Sequence, residues 1–389
     1  MTAETRSEGS LVLVGNPFFP TGRGATVLGF IRSLRAVGAD VRLCDAYSLP
    51  GRHALDNDLF EEMLPILVPR PGSKINIYHV NADEVDMALQ ILRTKLPDGA
   101  YNIIYPFWEL SRYPREWIPK LKLFDEVWAP SRFIADFLRP VCSQPVMHMP
   151  MAVEVQFNTL LNRRALGLPE SPYLFLFSFD YRSFPERKNP LALVEAFGKL
   201  VARGLPADVR LVIKQHGSDF SPAAQAAFAQ LTAAIPASGA AERIIVIDRV
   251  FTADEMKNLI RCCDCYISLH RSEGFGLGLA EAMYLGKPVI GTAYSGNMDF
   301  MTAENSCLVD YELIPVQAGH YIFAEGQVWA EPNVEQAVDF MGRLVQDRDF
   351  GRRLGASASR HMRTHFSHLT MGLRYQARVQ ELLLNMRAS

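Results

Sequence analysis

The chain is poor in cysteine: six in 389 residues cannot staple a disulfide scaffold. Cys44, Cys142 and Cys307 stand alone, and Cys262, Cys263 and Cys265 lie close together without a second Cys/His pair at zinc spacing. They read as small apolar side chains packed where a helix meets a strand, reduced as in a cytosolic protein. No run reaches 18 consecutive apolar residues, so no membrane-spanning helix is expected. The segment Met1–Ser10 is polar and lacks the apolar stretch of a secretory leader, which points to the cytoplasm. An excess of one charge is missing too. Lys+Arg number 40 and Asp+Glu 42, a net charge of −2, which removes any global case for a nucleic-acid partner. Internal repeats and low-complexity tracts are absent.

Present instead is an apolar fraction of 49%, ample for real cores, and a length that favours two domains. Short β-branched runs alternate with helical patterns. Leu11–Val14 reads as a buried strand, Gly15–Gly24 as a loop, Ala25–Val37 as a helix and Val41–Leu43 as the next strand. Strands are expected again at Ile75–His79, Tyr101–Tyr105, Glu126–Ala129 and Pro145–Pro150, with Ser131 capping a helix Arg132–Leu138. Residues 151–170 read as a linker. The alternation then restarts, with strands at Tyr173–Ser178, Val209–Lys214, Ile244–Ile247, Cys265–Leu269 and Pro288–Gly291, and helices at Asn189–Ala202, Ala223–Ala234, Ala253–Arg261 and Gly278–Leu285. Two such halves imply an α/β protein of two doubly wound, Rossmann-like domains facing each other across a cleft. The expected division is 1–160, 161–370 and a C-terminal helix, 371–389, that can return to the first domain.

The most informative stretch is Ser268-Leu269-His270-Arg271-Ser272-Glu273-Gly274-Phe275-Gly276-Leu277-Gly278-Leu279-Ala280-Glu281-Ala282-Met283. It follows a strand and opens a helix. Its three glycines let backbone approach a ligand, and the free N–H groups of the helix start suit an anion such as a diphosphate. Two carboxylates would repel a pure phosphate ligand. Glu273 and Glu281, eight apart at a sheet's carboxyl edge, make sense if they bind hydroxyls instead, one those of a sugar and the other those of a ribose.

Glu273-(seven residues)-Glu281 within this stretch resembles the signature of retaining glycosyltransferase family four, of GT-B architecture. The likeness continues through Leu285–Gly291, Tyr294-Ser295-Gly296-Asn297, Phe179-Asp180 and Arg187-Lys188-Asn189-Pro190, covering the C-terminal half; the N-terminal half resembles the family more loosely. The resemblance implies that Lys188 and Arg187 bind the donor diphosphate. Glu273 would hold hydroxyls of the donor sugar and Glu281 those of the ribose, while the backbone from Gly274 through Phe275 and Gly276 to Leu277 approaches sugar and phosphates. Where many members have Gly-Arg this chain has Phe179-Asp180-Tyr181-Arg182, so Arg182 and Arg187 compete for the arginine role. The family's N-terminal glycine loop corresponds to Thr21-Gly22-Arg23-Gly24, which places Gly22 and Gly24 near the phosphates. His79, which ends one strand, and Glu109, which follows another, are the acceptor-side candidates; His216 and His270 are weaker ones.

The reaction so implied is transfer of a sugar from a nucleotide-sugar, GDP-mannose or another NDP-hexose, to a saccharide or lipid-linked acceptor, as in surface-polysaccharide synthesis. Lys188, Arg187 and the helix start would stabilise the leaving phosphate. No Asp-x-Asp motif lies in a suitable loop, so neither a metal nor a cofactor is expected. Arg112, Arg115, Lys120 and Lys122, and the arginines of 351–389, read as solvated faces, or as peripheral contacts to a membrane's inner face if the acceptor is lipid-linked. Two rival readings are a GT-B nucleotide-sugar epimerase and a non-catalytic sugar-nucleotide-binding protein.

Overall fold

The computed structural model describes residues 11–18, 22–46, 57–204 and 208–388, and divides the chain into two compact units. Unit 1 comprises the described residues up to Trp108, Arg112–Glu154 and those from Thr364 on. Unit 2 comprises Glu109–Ser111 and Val155–Arg363.

Unit 1 is built on a parallel sheet of β1 (Leu11–Gly15), β2 (Val41–Asp45), β3 (Ile75–Tyr78), β4 (Tyr101–Ile104), β5 (Glu126–Ala129) and β6 (Val146–His148), in the order β2-β1-β3-β4-β5-β6. The winding reverses between β1 and β3, so the segments after these strands flank a topological switch point. The helix Gly22–Ala36 lies against the sheet and packs beside the last helix, His368–Ala388. Phe30 stacks on Tyr375 with ring centroids 4.1 Å apart, and the Tyr375 hydroxyl donates to the Pro150 carbonyl. A buried carboxylate anchors the same helix. Glu126 accepts Arg378 Nη2 at 2.5 Å and Nε at 3.1 Å, together with Trp128 Nε1 at 2.7 Å and the Tyr101 hydroxyl at 3.1 Å.

The helix expected to start at Ala25 starts at Gly22, so Gly22 and Gly24 sit in its first turn and not in a loop; Thr21 lies outside the described residues. First-turn N–H groups have no partner within a helix, so glycines there obstruct nothing. Arg23 pairs with Glu84, which itself closes a capping box with Asn81.

Unit 2 holds β7 (Tyr173–Ser178), β8 (Val209–Gln215), β9 (Ile244–Asp248), β10 (Cys265–Ser268), β11 (Val289–Thr292) and β12 (Cys307–Val309), all parallel in the order β12-β11-β10-β7-β8-β9. Unbroken apolar runs such as Tyr-Leu-Phe-Leu-Phe in β7 mark strands covered on both faces, here by helices including Pro190–Ala202 and Val334–Gln346. The winding reverses between β7 and β10, the crevice where open α/β sheets bind ligands. An antiparallel hairpin, β13 (Tyr311–Pro315) and β14 (Val328–Pro332), completes the unit. Glu109–Ser111 joins it there. The Ser111 hydroxyl donates to Gln327 Oε1 at 2.9 Å and accepts the Val328 N–H at 3.1 Å. Residues 151–170, read as linker, are irregular but bound down. The Arg163 guanidinium meets the carbonyls of Cys262, Glu170 and Pro172 and the Asp264 carboxylate. Among the described residues no helix is long and apolar enough to cross a membrane.

Candidate functional site

The segments after β7 and β10 converge. After β7, Asp180 caps a single 3-10 turn, and Phe184 takes φ +56° and ψ 90° before the one-turn helix Pro185–Lys188. Proline at its first position suits that turn, and left-handed Asn189 (φ +55°) ends it ahead of Pro190, which starts the next helix. Arg187 and Lys188 therefore sit on a fixed turn. Arg187 is only 4% exposed.

After β10 comes Leu269–Gly276. His270 is fully buried beneath it, and burial depresses its pKa, leaving a neutral ring. The Asn297 amide nitrogen is committed to the Thr292 carbonyl at 2.9 Å, so its oxygen faces His270 Nε2 at 3.0 Å. Nε2 then carries the proton, and Nδ1 accepts from the Ser268 hydroxyl at 3.1 Å. The Glu273 N–H donates to Ser295 Oγ at 2.8 Å, and the Gly296 N–H to the Glu273 carbonyl at 2.9 Å. A Cβ at Gly296 would collide with the Gly274 carbonyl, so only glycine lets the two loops touch. Gly276 (φ +95°) caps the helix Leu277–Tyr284 without any side-chain acceptor for its first N–H groups, leaving a positive helix end at the switch point.

The charged groups meet here. Lys188 Nζ is 2.5 Å from Glu273 Oε1, and Arg187 Nη1 is 3.1 Å from Glu273 Oε2 and 2.7 Å from the Ser272 carbonyl. Burial alone would raise the Glu273 carboxyl, but Lys188 and Arg187 outweigh it and hold the pKa at about 2. Burial lowers Lys188 from its usual value, with Glu273 opposing. Arg187 stays charged because Glu273 and Glu109 outweigh its desolvation. Arg187 Nε has no hydrogen-bond partner among the described residues, nor does the buried Ser272 hydroxyl. Unpartnered donors beside a helix end suit an anion.

Glu281 is partly buried on the helix Leu277–Tyr284, with no ion-pair or hydrogen-bond partner for its carboxylate among the described residues. Burial raises its pKa to about 7, with Lys257 offsetting little. Arg182 lies over the Phe220 ring and forms no contact with Arg187 or Lys188 among those described. Glu109, an acceptor-side candidate, belongs to unit 2 and stands behind Arg187. Its Oε1 is 3.9 Å from Arg187 Nη2, and its Oε2 accepts the Tyr321 hydroxyl at 2.5 Å.

Residues 159–361, just over half of the chain, match the model of the family described as glycosyl transferases group 1. The chain belongs to this family. Its two parallel six-stranded sheets with covering helices are the GT-B fold, as solved structures bear out. Sucrose-phosphate synthase from Thermosynechococcus elongatus is 15% identical, spans 97% of this chain and 100% of its own, and has a TM-score of 0.71. HepE from Anabaena, solved with UDP and glucose, is 12% identical over 96% of this chain and 100% of its own, TM-score 0.68. A glycosyltransferase from Rickettsia africae is 14% identical over 97% and 99%, TM-score 0.67. No curated protein matches the chain.

Other features of this group 1 glycosyltransferase were not anticipated. Strand β12 and the β13–β14 hairpin bring Tyr321 and Glu331 to the site. Glu331 Oε2 accepts Arg271 Nη2 at 2.6 Å, and Arg271 Nη1 donates to the Glu186 carbonyl at 2.9 Å, tying the hairpin to the Arg187 turn. In unit 1, His79 follows β3 at the switch point but is 6% exposed, lies edge-on to Phe30 (centroids 4.4 Å), and has both ring nitrogens unpartnered among the described residues. Burial lowers its pKa to about 3, so its ring is neutral. His216 bridges Lys214 Nζ (3.2 Å) and Asp180 Oδ2 (3.3 Å). Among the described residues no group of three or more His, Cys, Asp or Glu could hold a metal ion. Several basic residues of the two surface runs are engaged internally: Lys120 with Asp86, Arg378 with Glu126, and Arg363 with the Tyr284 hydroxyl.

Proposed function

We propose that this glycosyltransferase uses a nucleotide-sugar donor, retains anomeric configuration as family four does, and passes the sugar to a saccharide or lipid-linked acceptor. One observation carries the reading: buried Arg187 and half-buried Lys188 sit on a fixed turn against Glu273, at the switch point of unit 2, with Arg187 Nε unpartnered among the described residues. Glu273 offsets much of the cations' desolvation, and the Arg187 Nε that it leaves unpartnered is a donor for a ligand to satisfy.

In this reading the donor's diphosphate lies between Arg187, Lys188 and the N-terminus of the helix Leu277–Tyr284. Bond breaking at the anomeric carbon builds charge on the β-phosphate, and these groups stabilise it in place. With two cations and a helix end present, a divalent ion is unnecessary, and EDTA leaves turnover unchanged. Glu273, ionised at any physiological pH, accepts hydroxyls of the donor sugar once the ligand's phosphate takes over its share of the cations. Glu281 accepts the ribose hydroxyls. No carboxylate is offered as a nucleophile: Glu273 is tied to two cations and is a poor one. The acceptor hydroxyl attacks from the leaving-group face, and the departing phosphate oxygen takes its proton, so configuration is kept. HepE is a neighbour solved with UDP-glucose, which makes UDP-sugars one arm of the test beside GDP-, dTDP- and ADP-sugars.

The experiment is a thermal-shift panel of those four donor classes, followed by NMR of the product with the stabilising donor. Stabilisation by one class and a product of the donor's own anomeric configuration are expected. An inverted product would sink the retaining assignment, and product formed without any acceptor would favour an epimerase.

A further inference from the structure

Tyr321 lies in the connection between β13 and β14, is 8% exposed, and links the Arg187 turn to Glu109. Its ring packs on Phe184, centroids 4.2 Å apart, at the residue whose positive φ opens that turn. Its hydroxyl donates to Glu109 Oε2 at 2.5 Å. The geometry of Glu109 is unusual for a carboxylate beside a buried guanidinium. Such pairs close to about 2.7–2.9 Å and are often bidentate, yet Glu109 Oε1 stays 3.9 Å from Arg187 Nη2, beyond hydrogen-bond reach. Meanwhile Nη1 is occupied by the Ser272 carbonyl and Glu273, and Nε is unpartnered among the described residues. The Nε–Nη2 edge, the one that can take an oxyanion with two parallel hydrogen bonds, carries no hydrogen bond among the described residues, its Nε buried and unsatisfied.

We infer that Tyr321 is a positioning residue that tethers Glu109, keeping the carboxylate off Arg187 so that the Nε–Nη2 edge stays available to the donor's diphosphate. The tether rests on the phosphate role proposed above for Arg187. Held back, Glu109 still lowers the cost of burying the guanidinium through space, but does not compete for its N–H groups. Without the Tyr321 hydroxyl, no other group among the described residues holds Oε2, and Glu109 can rotate onto Arg187 and form the bidentate pair the phosphate needs.

The test is titration calorimetry of the full chain with UDP, GDP, ADP and dTDP, followed with whichever the wild type binds best. Tyr321→Phe keeps the ring and deletes the hydroxyl. It weakens binding about tenfold, the scale of one charge-assisted hydrogen bond. Adding Glu109→Gln removes the competing charge and restores affinity to about the wild-type value. Arg187→Ala controls for the underlying reading, and unfolding temperature reports whether each variant folds. If Arg187→Ala loses binding but Tyr321→Phe does not, the tether is wrong and the donor reading survives. If Tyr321→Phe loses binding and the double variant does not recover, Tyr321 acts by packing alone and the tether is again overturned. If Arg187→Ala binds as the wild type does, or the wild type binds none of the four, the donor reading falls and the tether with it.

Discussion

Replacing Glu281 by Gln leaves the side chain's shape and removes its charge. In the folded chain this carboxyl titrates at about 7 against 4.5 unperturbed, because burial disfavours the ion and Lys257 compensates little. The folded state therefore holds the proton more tightly than the unfolded one. Stability falls as pH rises from about 4.5 to about 7 and is level above that. At about 1.4 kcal/mol per tenfold, the cost of ionising Glu281 reaches roughly 3 kcal/mol at pH 8 and stays under about 1 kcal/mol at pH 5. Glu281→Gln removes it, which raises the unfolding midpoint of unit 2 at pH 8 by roughly 6–12 °C for a domain of this size. Calorimetric scans of both proteins at the two pH values measure this directly. A gain of equal size at pH 5 and pH 8 would refute the burial argument. The same substitution weakens nucleotide binding if Glu281 accepts ribose hydroxyls, so stability and affinity move in opposite directions, as at sites where function is kept at the expense of stability.

The Glu126–Arg378 pair holds the last helix on unit 1, with Glu126 fully buried. Arg378→Met strands that carboxylate and costs about 3–5 kcal/mol in denaturant unfolding. His79, lowered to about 3 by burial, binds its proton far more weakly folded than unfolded, so stability is lost as pH falls from about 6.5 toward 3. His79→Leu makes the acid limb of the stability curve shallower by up to roughly 5 kcal/mol; an unchanged acid limb would remove burial as the cause. Gly296→Ala drives a Cβ into the Gly274 carbonyl and displaces the Glu273 loop, lowering turnover at least about tenfold with the sheet intact by circular dichroism.

The elements were most legible where physics is local. β7 and the helix Arg132–Leu138, capped by Ser131, lie where apolar runs and cap residues put them. The Glu273 loop was legible because glycine, strand end and helix start coincide in one stretch. Less visible were groups that matter through distant pairing. Nothing in Glu109-Leu110-Ser111 announces membership of unit 2; it follows from the hairpin β13–β14, whose first strand is short and mostly exposed. Tyr321 comes to Glu109 from 212 residues away. His79 shows the reverse: a histidine at a strand end looks available, but it is buried against Phe30 and Tyr105.

The most direct test of a donor site built on the Arg187–Lys188 turn is the steady-state rate of Lys188→Ala with its best nucleotide-sugar. Lys188 is paired to Glu273 and not to the core, so the variant folds, and its transfer rate falls by about 100-fold or more, the scale of removing one preorganised charge from a leaving group. A Lys188→Ala enzyme that folds and turns over at the wild-type rate would contradict the account.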